Sequence, residues 1–483
     1  MNLGVISRNV GIALISTAAF MFLSAFVSAL DGFDSSFSPL VFSGIITALI
    51  GVFPLIFVRT KQDISTKEGL AILVLAWTLC CIFSMLPYVL WGGEFTVENA
   101  WFESASGITT TGATCLRDIE ALPKGLLFWR SSTHYIGGLG VVAFIIMILP
   151  SMGTIRLKMS KIDLEDISRG NYSYKSGQFI RVVITVYLCI TAAAFVSLML
   201  AGMSPFDAIN HAFSVAATGG FSTKNASIAA YDSPLIEAIL IVFMIMSSLH
   251  YGLIYASFAT RSPKVFRNPV SRFYLSTIFT YTLLVTVSLS VSGLQDNVFE
   301  SFRQSIFAVV STISTTGFAI TDTNVWPVFA ILILLCAAVQ CGCSGSTTSG
   351  VRSDRIWILA KASGAHLLKM AHPNAVVRVK TDGRVIDNDV FTSVAVYVLL
   401  YLELALVGSL VYSALGVDFI TSLSVSISMM SNVGPCFGEF GSSMSTFADA
   451  GIFAKVLMGC QMIVGRLGVF SMLSIFVFLR KDT

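Results

Sequence analysis

Thr110-Thr111-Gly112-Ala113, Ala217-Thr218-Gly219-Gly220, Thr315-Thr316-Gly317-Phe318 and Asn432-Val433-Gly434-Pro435 are four short glycine-centred segments set at near-regular intervals. Their central glycines, Gly112, Gly219, Gly317 and Gly434, lie 107, 98 and 117 residues apart. A polar, glycine-bearing turn is costly in a membrane unless it is buried in protein or lines a water-filled path. Four in one chain predict four walls around one pathway. Each follows an amphipathic stretch of 10 to 14 residues, namely 98–107, 207–216, 298–311 and 419–430. These are too short to cross a bilayer, which takes about 20 residues.

The surrounding chain is membrane-like. Of 483 residues, 55% are hydrophobic and 12% charged, and the mean hydropathy is +0.81; a soluble chain is about 25% charged. Ten apolar runs, from 10–30 and 40–58 to 454–479, are read as ten crossings. The first is longer than the apolar core of a secretory signal and more spans follow it, so it is read as a retained helix. The cysteines lie mostly within apolar runs, and Cys341 and Cys343 are too close for the usual zinc spacing. No His-Glu-x-x-His, no Gly-x-Ser-x-Gly and no paired intramembrane carboxylates are present, so an enzyme is not expected.

Charge sets the orientation. With loops assigned to alternate sides, 23 of the 30 Lys and Arg residues fall on one side and six, Arg117, Lys124, Arg130, Lys224, Arg303 and Lys455, on the other, with Arg466 assigned inside a span. The basic side is the cytoplasmic one, which places both termini in the cytoplasm. The opposite face carries 16 acids for a net charge of −10. An acidic mouth concentrates cations.

Each unit of the repeat reads as a span, a short amphipathic helix, a glycine turn and a second span. The predicted units are 67–165, 166–268, 269–385 and 386–483, after a two-helix domain over 1–66. Glu98, Asp207 and Asp418 stand at the starts of three short helices, where an acid favours initiation. The C-terminal ends then point into the membrane toward the turns. This is the span, pore helix, filter and span plan of a potassium channel subunit, joined four times. Backbone carbonyls can replace the water shell of a monovalent cation where glycine permits unusual dihedrals. The predicted ion-coordinating set is the four quartets quoted above. No carboxylate coincides with the glycines, which argues against a calcium-type filter.

With these motifs the chain resembles the bacterial Trk-type potassium uptake subunits, in the superfamily that includes KtrB and the plant HKT transporters. The segments Ser106–Thr114, Ala216–Thr223, Ser314–Phe318 and Ser431–Pro435 match that family's four filters, and the likeness spans essentially the whole chain. The resemblance implies an all-α polytopic protein of the bacterial inner membrane with one pore per chain. It implies a homodimer with a cytosolic nucleotide-binding regulator of TrkA type, the nucleotide residing on that partner, and potassium as the transported ion. In related plant proteins a serine at the first filter glycine accompanies sodium selectivity; Gly112 at that position favours potassium.

Below the turns, the second span of the third unit is interrupted by Gly342-Cys343-Ser344-Gly345-Ser346-Thr347-Thr348-Ser349-Gly350, which has three glycines and no large aliphatic side chain. Such a stretch does not form a lipid-facing helix. The resemblance implies an intramembrane loop that obstructs the pore, with Gly342, Gly345, Ser346, Thr347, Gly350 and Arg466 as gate residues. Arg466 is expected to bond the loop's carbonyls and hydroxyls, the alternative being a pair with Glu403. Gly137, Gly138, Gly140 and Gly252 are expected to allow close helix approach, and His134 and His250 to be structural. Segments 352–389 and 156–181 are the expected docking surface for a cytosolic regulator, the alternative being a solvated loop at the lipid headgroups. A secondary carrier coupling potassium to sodium or protons is the alternative function, because carriers place their sites at broken helices.

Overall fold

The computed structural model describes residues 2–58, 65–148, 176–295, 297–372 and 388–473, with residues 374, 380–381 and 384–386. Two long helices come first, α1 (Leu3–Leu30) and α2 (Phe37–Phe57). Glycines let them touch: a Cβ on Gly11 would strike the Gly51 carbonyl oxygen. Four units follow, each a span, a short helix and a second span. The first holds α3 (Thr66–Ser84), the single-turn extension α4 (Leu86–Trp91), α5 (Val97–Ile108) and α6 (Lys124–Ile148). The second holds α7 (Ser176–Leu200), α8 (Pro205–Ala216), α9 (Pro234–Ser248) and α10 (Tyr251–Ala259). After α11 (Lys264–Arg267) the third holds α12 (Pro269–Ser292), α13 (Val298–Ile313) and α14 (Val328–Gln340), and α15 (Ser353–Ala371) leads away from it. The fourth holds α16 (Asn388–Ala414), α17 (Phe419–Ser431) and α18 (Ile452–Leu467). Among the described residues the fold is all-α apart from an antiparallel pairing of Lys380–Thr381 with Arg384–Val385.

Local chemistry starts the helices. Ser65 and Glu68 form a capping box on α3, satisfying two otherwise orphaned N–H groups. Asp418 caps α17 by accepting from the Ile420 and Thr421 amides. Ser204 caps α8, whose first turn carries Asp207 and begins with Pro205. Glu98 lies in the first turn of α5 and Glu300 in that of α13. An acid therefore stands at the start of all four short helices, the fourth being Glu300.

Apolar clusters fill the spaces between the helices, polar side chains are buried along the short helices, and large apolar side chains also cover the outer surface. Ser104, Ser106, Ser214, Ser311, Ser424 and Ser428 are buried on the short helices, while Phe26, Phe53, Leu406 and Leu410 are exposed. Six helices of the described chain are long and apolar enough to cross a membrane, and α9 with α10 forms a seventh, bent by 103°. The remaining expected crossings coincide with α6, α14 and α18; α14 ends at the Gly342 loop and α18 at Gly468. The second unit thus departs from the continuous span expected over 236–258. At the bend, the Ser248 carbonyl accepts from the Cys343 amide at 2.9 Å and the Tyr251 amide donates to the Gly345 carbonyl at 3.0 Å. The loop of the third unit supplies the partners that a broken helix needs.

Candidate ion pathway

Each short helix ends in the same turn. Thr110, Thr218, Thr315 and Asn432 have φ of 54°, 54°, 55° and 56°, and two residues later Gly112, Gly220, Gly317 and Gly434 have φ of 78°, 85°, 76° and 99°. The residue between donates its amide back to a helix serine carbonyl: Thr111 to Ser106 and Gly219 to Ser214 at 2.8 Å, Thr316 to Ser311 at 2.9 Å, and Val433 to Ser428 at 3.0 Å. These equivalences correct the register of the second segment. Its structural counterpart of Gly112, Gly317 and Gly434 is Gly220, and Gly219 takes the place of Thr111. Ala217 then ends the helix in right-handed conformation, and Phe221 joins Ala113, Phe318 and Pro435. Two adjacent glycines leave both registers open in the sequence, and the dihedrals, the amide bond back to the helix serine and ring closure together separate them.

The four turns close into a ring. A Cβ on Gly112 would strike the carbonyl oxygen of Gly219, one on Gly220 that of Thr316, one on Gly317 that of Val433, and one on Gly434 that of Thr111. Each unit thus touches the next and the last returns to the first. Among the described residues no group donates a hydrogen bond to the carbonyls at the three turn positions of any unit. Buried carbonyls are almost always paired, so this ring is a cluster of free oxygens in glycine-permitted backbone. Ser106 Oγ donates to the Ala113 carbonyl and Ser311 Oγ to the Phe318 carbonyl, both at 2.6 Å, which ties the outgoing chain to its own helix.

Above the ring lies a cavity of about 140 Å³ bordered by Gly112, Gly220, Gly317 and Gly434. Its rim is laced unit to unit. Asn225 bonds Asp118 and the Ile119 amide between the first two units, at 2.8 and 2.7 Å. The Ile228 amide reaches the Ala319 carbonyl at 3.0 Å, Asn324 pairs with the Gly438 backbone, and the Phe447 amide reaches the Thr114 carbonyl at 2.8 Å. The Asn225 amide also holds the Asp118 carboxyl below the usual carboxylate range. Arg117, Lys124, Lys224 and Arg303 on this face pair with Asp449, Asp31, Glu120 and Glu237 respectively. The acidic excess of the mouth is therefore partly spent on its own scaffold.

Below the ring, the Gly342–Gly350 segment is non-helical and nearly all buried. Gly345 and Gly350 have φ of 75° and 74°. Thr347 is at its tip: its hydroxyl lies 3.3 Å from Thr218 Oγ1 and 3.3 Å from the Tyr251 hydroxyl, and donates to the Ala216 carbonyl at 3.2 Å. Ser346 Oγ bonds within the loop, to the Cys343 carbonyl at 2.6 Å. The ends are fixed to α15, since the Ser353 amide donates to the Gly342 carbonyl at 2.8 Å and the Asp354 carboxylate accepts from the Ser344 amide.

Arg466 binds this loop from α18. Its Nη1 donates to the Thr347 carbonyl at 2.6 Å and Ser349 Oγ at 2.8 Å, and Nη2 to the Gly137 carbonyl at 3.2 Å. The alternative partner, Glu403, is exposed on α16. Arg466 is not the sole basic residue within a span, because Arg130 is buried in α6 against Glu103. The sequence placed Arg130 among outer loop charges, since it precedes the long apolar part of α6. Gly137 and Gly138 do allow close approach, to the Ile108 carbonyl and to Ala217. His134 bonds Ser214 Oγ, and His250 caps α10. Much of the expected inner-face charge, including Arg59, Lys61, Arg156–Lys175, Arg378, Arg480 and Lys481, lies outside the described residues.

Comparison with known proteins gives a consistent answer. The sequence profile of TrkH, described as a cation transport protein, matches residues 38–482. The Trk system potassium uptake protein TrkH of Salmonella typhimurium is 32% identical over 99% of both chains, and that of Halomonas elongata 30% over the full length of both. The crystal structure of the potassium transporter TrkH from Vibrio parahaemolyticus superposes with a TM-score of 0.89 at 30% identity, covering 98% of each chain.

Proposed function

Because the chain belongs to the TrkH family of cation transport proteins, we propose that it carries potassium into a bacterial cell through a gated, channel-like pore in the cytoplasmic membrane. The observation that carries this reading is the closed ring of glycine turns whose carbonyls accept no hydrogen bond among the described residues. A dehydrated monovalent cation is the ligand such oxygens suit. The coordinating set is Thr110, Thr111 and Gly112; Thr218, Gly219 and Gly220; Thr315, Thr316 and Gly317; and Asn432, Val433 and Gly434, with Ala113, Phe221, Phe318 and Pro435 at the outer edge. The third position is glycine in every unit, and threonine supplies the first in three.

The loop over 342–350, held by Arg466, is the gate. Its tip sits against the second turn, where an obstruction blocks an ion leaving the ring. The chain acts as a homodimer with both termini in the cytoplasm, regulated by a cytosolic nucleotide-binding partner that docks on 352–389 and 156–181. The four units run in the same sense, which favours a pore over the inverted halves of a coupled carrier. The test is a reversal potential of purified protein in a planar bilayer with potassium and sodium gradients opposed. Unitary currents reversing near the potassium potential support the reading. Slow flux that requires a sodium or proton gradient overturns it in favour of a carrier.

A further inference from the structure

The ring has near-fourfold symmetry, but what stands behind it does not. Glu103, three residues before Ser106 on α5, has His211, Ala308 and Val425 as its counterparts. Thr114, two residues after Gly112, has Ser222, Ala319 and Cys436. In the first unit both Glu103 oxygens lie within reach of Thr114 Oγ1, at 3.2 and 3.1 Å, and Oε2 also accepts from the Cys115 amide at 3.2 Å. In the second, His211 Nε2 lies 2.9 Å from Ser222 Oγ. In the third and fourth, Ala308 with Ala319 and Val425 with Cys436 offer no such pair of polar side chains.

Arg130 joins the two polar units. Its Nε donates to Glu103 Oε1 at 2.7 Å and its Nη1 to the Ser222 carbonyl at 3.2 Å, while its guanidinium carbon lies 4.1 Å from the Phe221 ring centroid. Glu103 is 0% and Arg130 1% exposed at the side chain. Arg130 Nη2 has no hydrogen-bond partner among the described residues, and the side chain borders the cavity above the ring. A buried ion pair contributes little net stability over apolar packing of the same volume, but it fixes geometry. A planar, forked guanidinium holds two acceptors at a set separation, which a lysine cannot do.

From this geometry we propose that Glu103 and Arg130 are positioning residues for ion selectivity. The pair braces the outgoing chain of the first turn against that of the second and sets the separation of Gly112 from Gly220; the third and fourth units have no ion pair at these positions. The inference rests on the reading of the ring as a potassium filter. The permeability ratio therefore depends on the brace more than the flux does. Neither residue touches the ion.

The experiment is bi-ionic reversal-potential recording of full-length protein in bilayers, with thermal melting of each variant in detergent. The variants are Arg130→Lys, which keeps the charge and loses the fork, and Glu103→Gln with Arg130→Gln, which leaves no unpaired buried charge should a single change fail to fold. Val425→Thr is the control on the unbraced side. Both brace variants are expected to lower the potassium-to-sodium permeability ratio about fivefold, the effect of about one lost hydrogen bond, while still passing current. Val425→Thr is expected to reverse at the wild-type potential. Brace variants that melt with the wild type and keep its reversal potential overturn the proposal. So does an equal loss of selectivity in Val425→Thr, because the effect is then not specific to the pair. A wild-type protein that shows no selective current refutes the filter reading itself, a result distinct from either.

Discussion

Replacing Arg466 with alanine should raise ion flux, and the hydrogen bonds state by roughly how much. Two of the three bonds that Arg466 makes end on the loop, at the Thr347 carbonyl and Ser349 Oγ. The third, to the Gly137 carbonyl, anchors the guanidinium to α6 and survives when the loop moves. Of the bonds made by Arg466, only the two to the loop would be lost on opening of the proposed gate, and only a differential interaction shifts such an equilibrium. A hydrogen bond to a charged group contributes about 1.5–3 kcal/mol. The lower figure for each gives about 3 kcal/mol, or about 150-fold in the ratio of closed to open. Water entering the vacated space re-satisfies part of this, so about tenfold is the floor. Single-channel recording of Arg466→Ala should show the open probability rising within that range at unchanged unitary conductance. Arg466→Lys separates two causes. If the positive charge alone blocks the path, lysine behaves as wild type; if the fork holds the loop, lysine opens as well, because an ammonium does not reproduce the planar geometry. Folded Arg466→Ala protein with wild-type flux and open probability refutes the gate assignment.

Shortening the loop by removing Ser346 to Ser349 takes away the tip and both Arg466 acceptors on it, so uptake by proteoliposomes should exceed that of Arg466→Ala. Tyr251→Phe deletes the hydroxyl that lies 3.3 Å from Thr347 Oγ1; losing about 1 kcal/mol of closed-state interaction should raise open probability about fivefold in the same recordings. The corrected register predicts that Gly220→Ala abolishes selective current as Gly112→Ala does, since both place a Cβ against a neighbouring turn's carbonyl at positive φ. Gly219→Ala instead meets the His134 ring, so its effect should be relieved in Gly219→Ala with His134→Ala. No such second change should relieve Gly220→Ala.

The short helices and turns were legible because their signals are local and repeated. The stretches 98–107, 207–216, 298–311 and 419–430 coincide with α5, α8, α13 and α17 to within a few residues, since an amphipathic run with a polar start and a glycine stop specifies a short helix on its own. What the sequence concealed depends on partners far along the chain. The bend between α9 and α10 is stabilised by backbone groups nearly a hundred residues later, at Cys343 and Gly345. Between Ile236 and Phe258 only serines, a histidine and Gly252 announce it, and a continuous membrane helix also tolerates these. Arg130 was misread for a related reason: its partner Glu103 lies on another helix, and hydropathy cannot distinguish a charge facing water from one facing a buried carboxylate. The Gly219–Gly220 ambiguity is of a third kind, since both residues accept either backbone conformation and the folded turn, closed into the ring, selects between them.

Joining four unlike units in one chain has a mechanical consequence. A symmetric assembly of four identical units would bring four loops to one axis, where a single loop already packs against the second and fourth units and is linked through Arg466 to the first. Here each unit contributes a different part: the first the Gly137 carbonyl, the second the bend with Thr218 and Tyr251, the third the loop, the fourth Arg466. The loop's contacts with the other units are hydrogen bonds of side chains and single backbone groups, whereas its own ends are fixed to α15 through Ser353 and Asp354. The turns are held separately, by serines on the short helices and by the outer rim. A displacement of α15 therefore reaches the loop before it reaches most of the ring. Among the described residues, the 3.3 Å approach of Thr347 to Thr218 is where the loop meets a turn, so the second unit is where opening of the proposed gate would first be felt by the proposed filter.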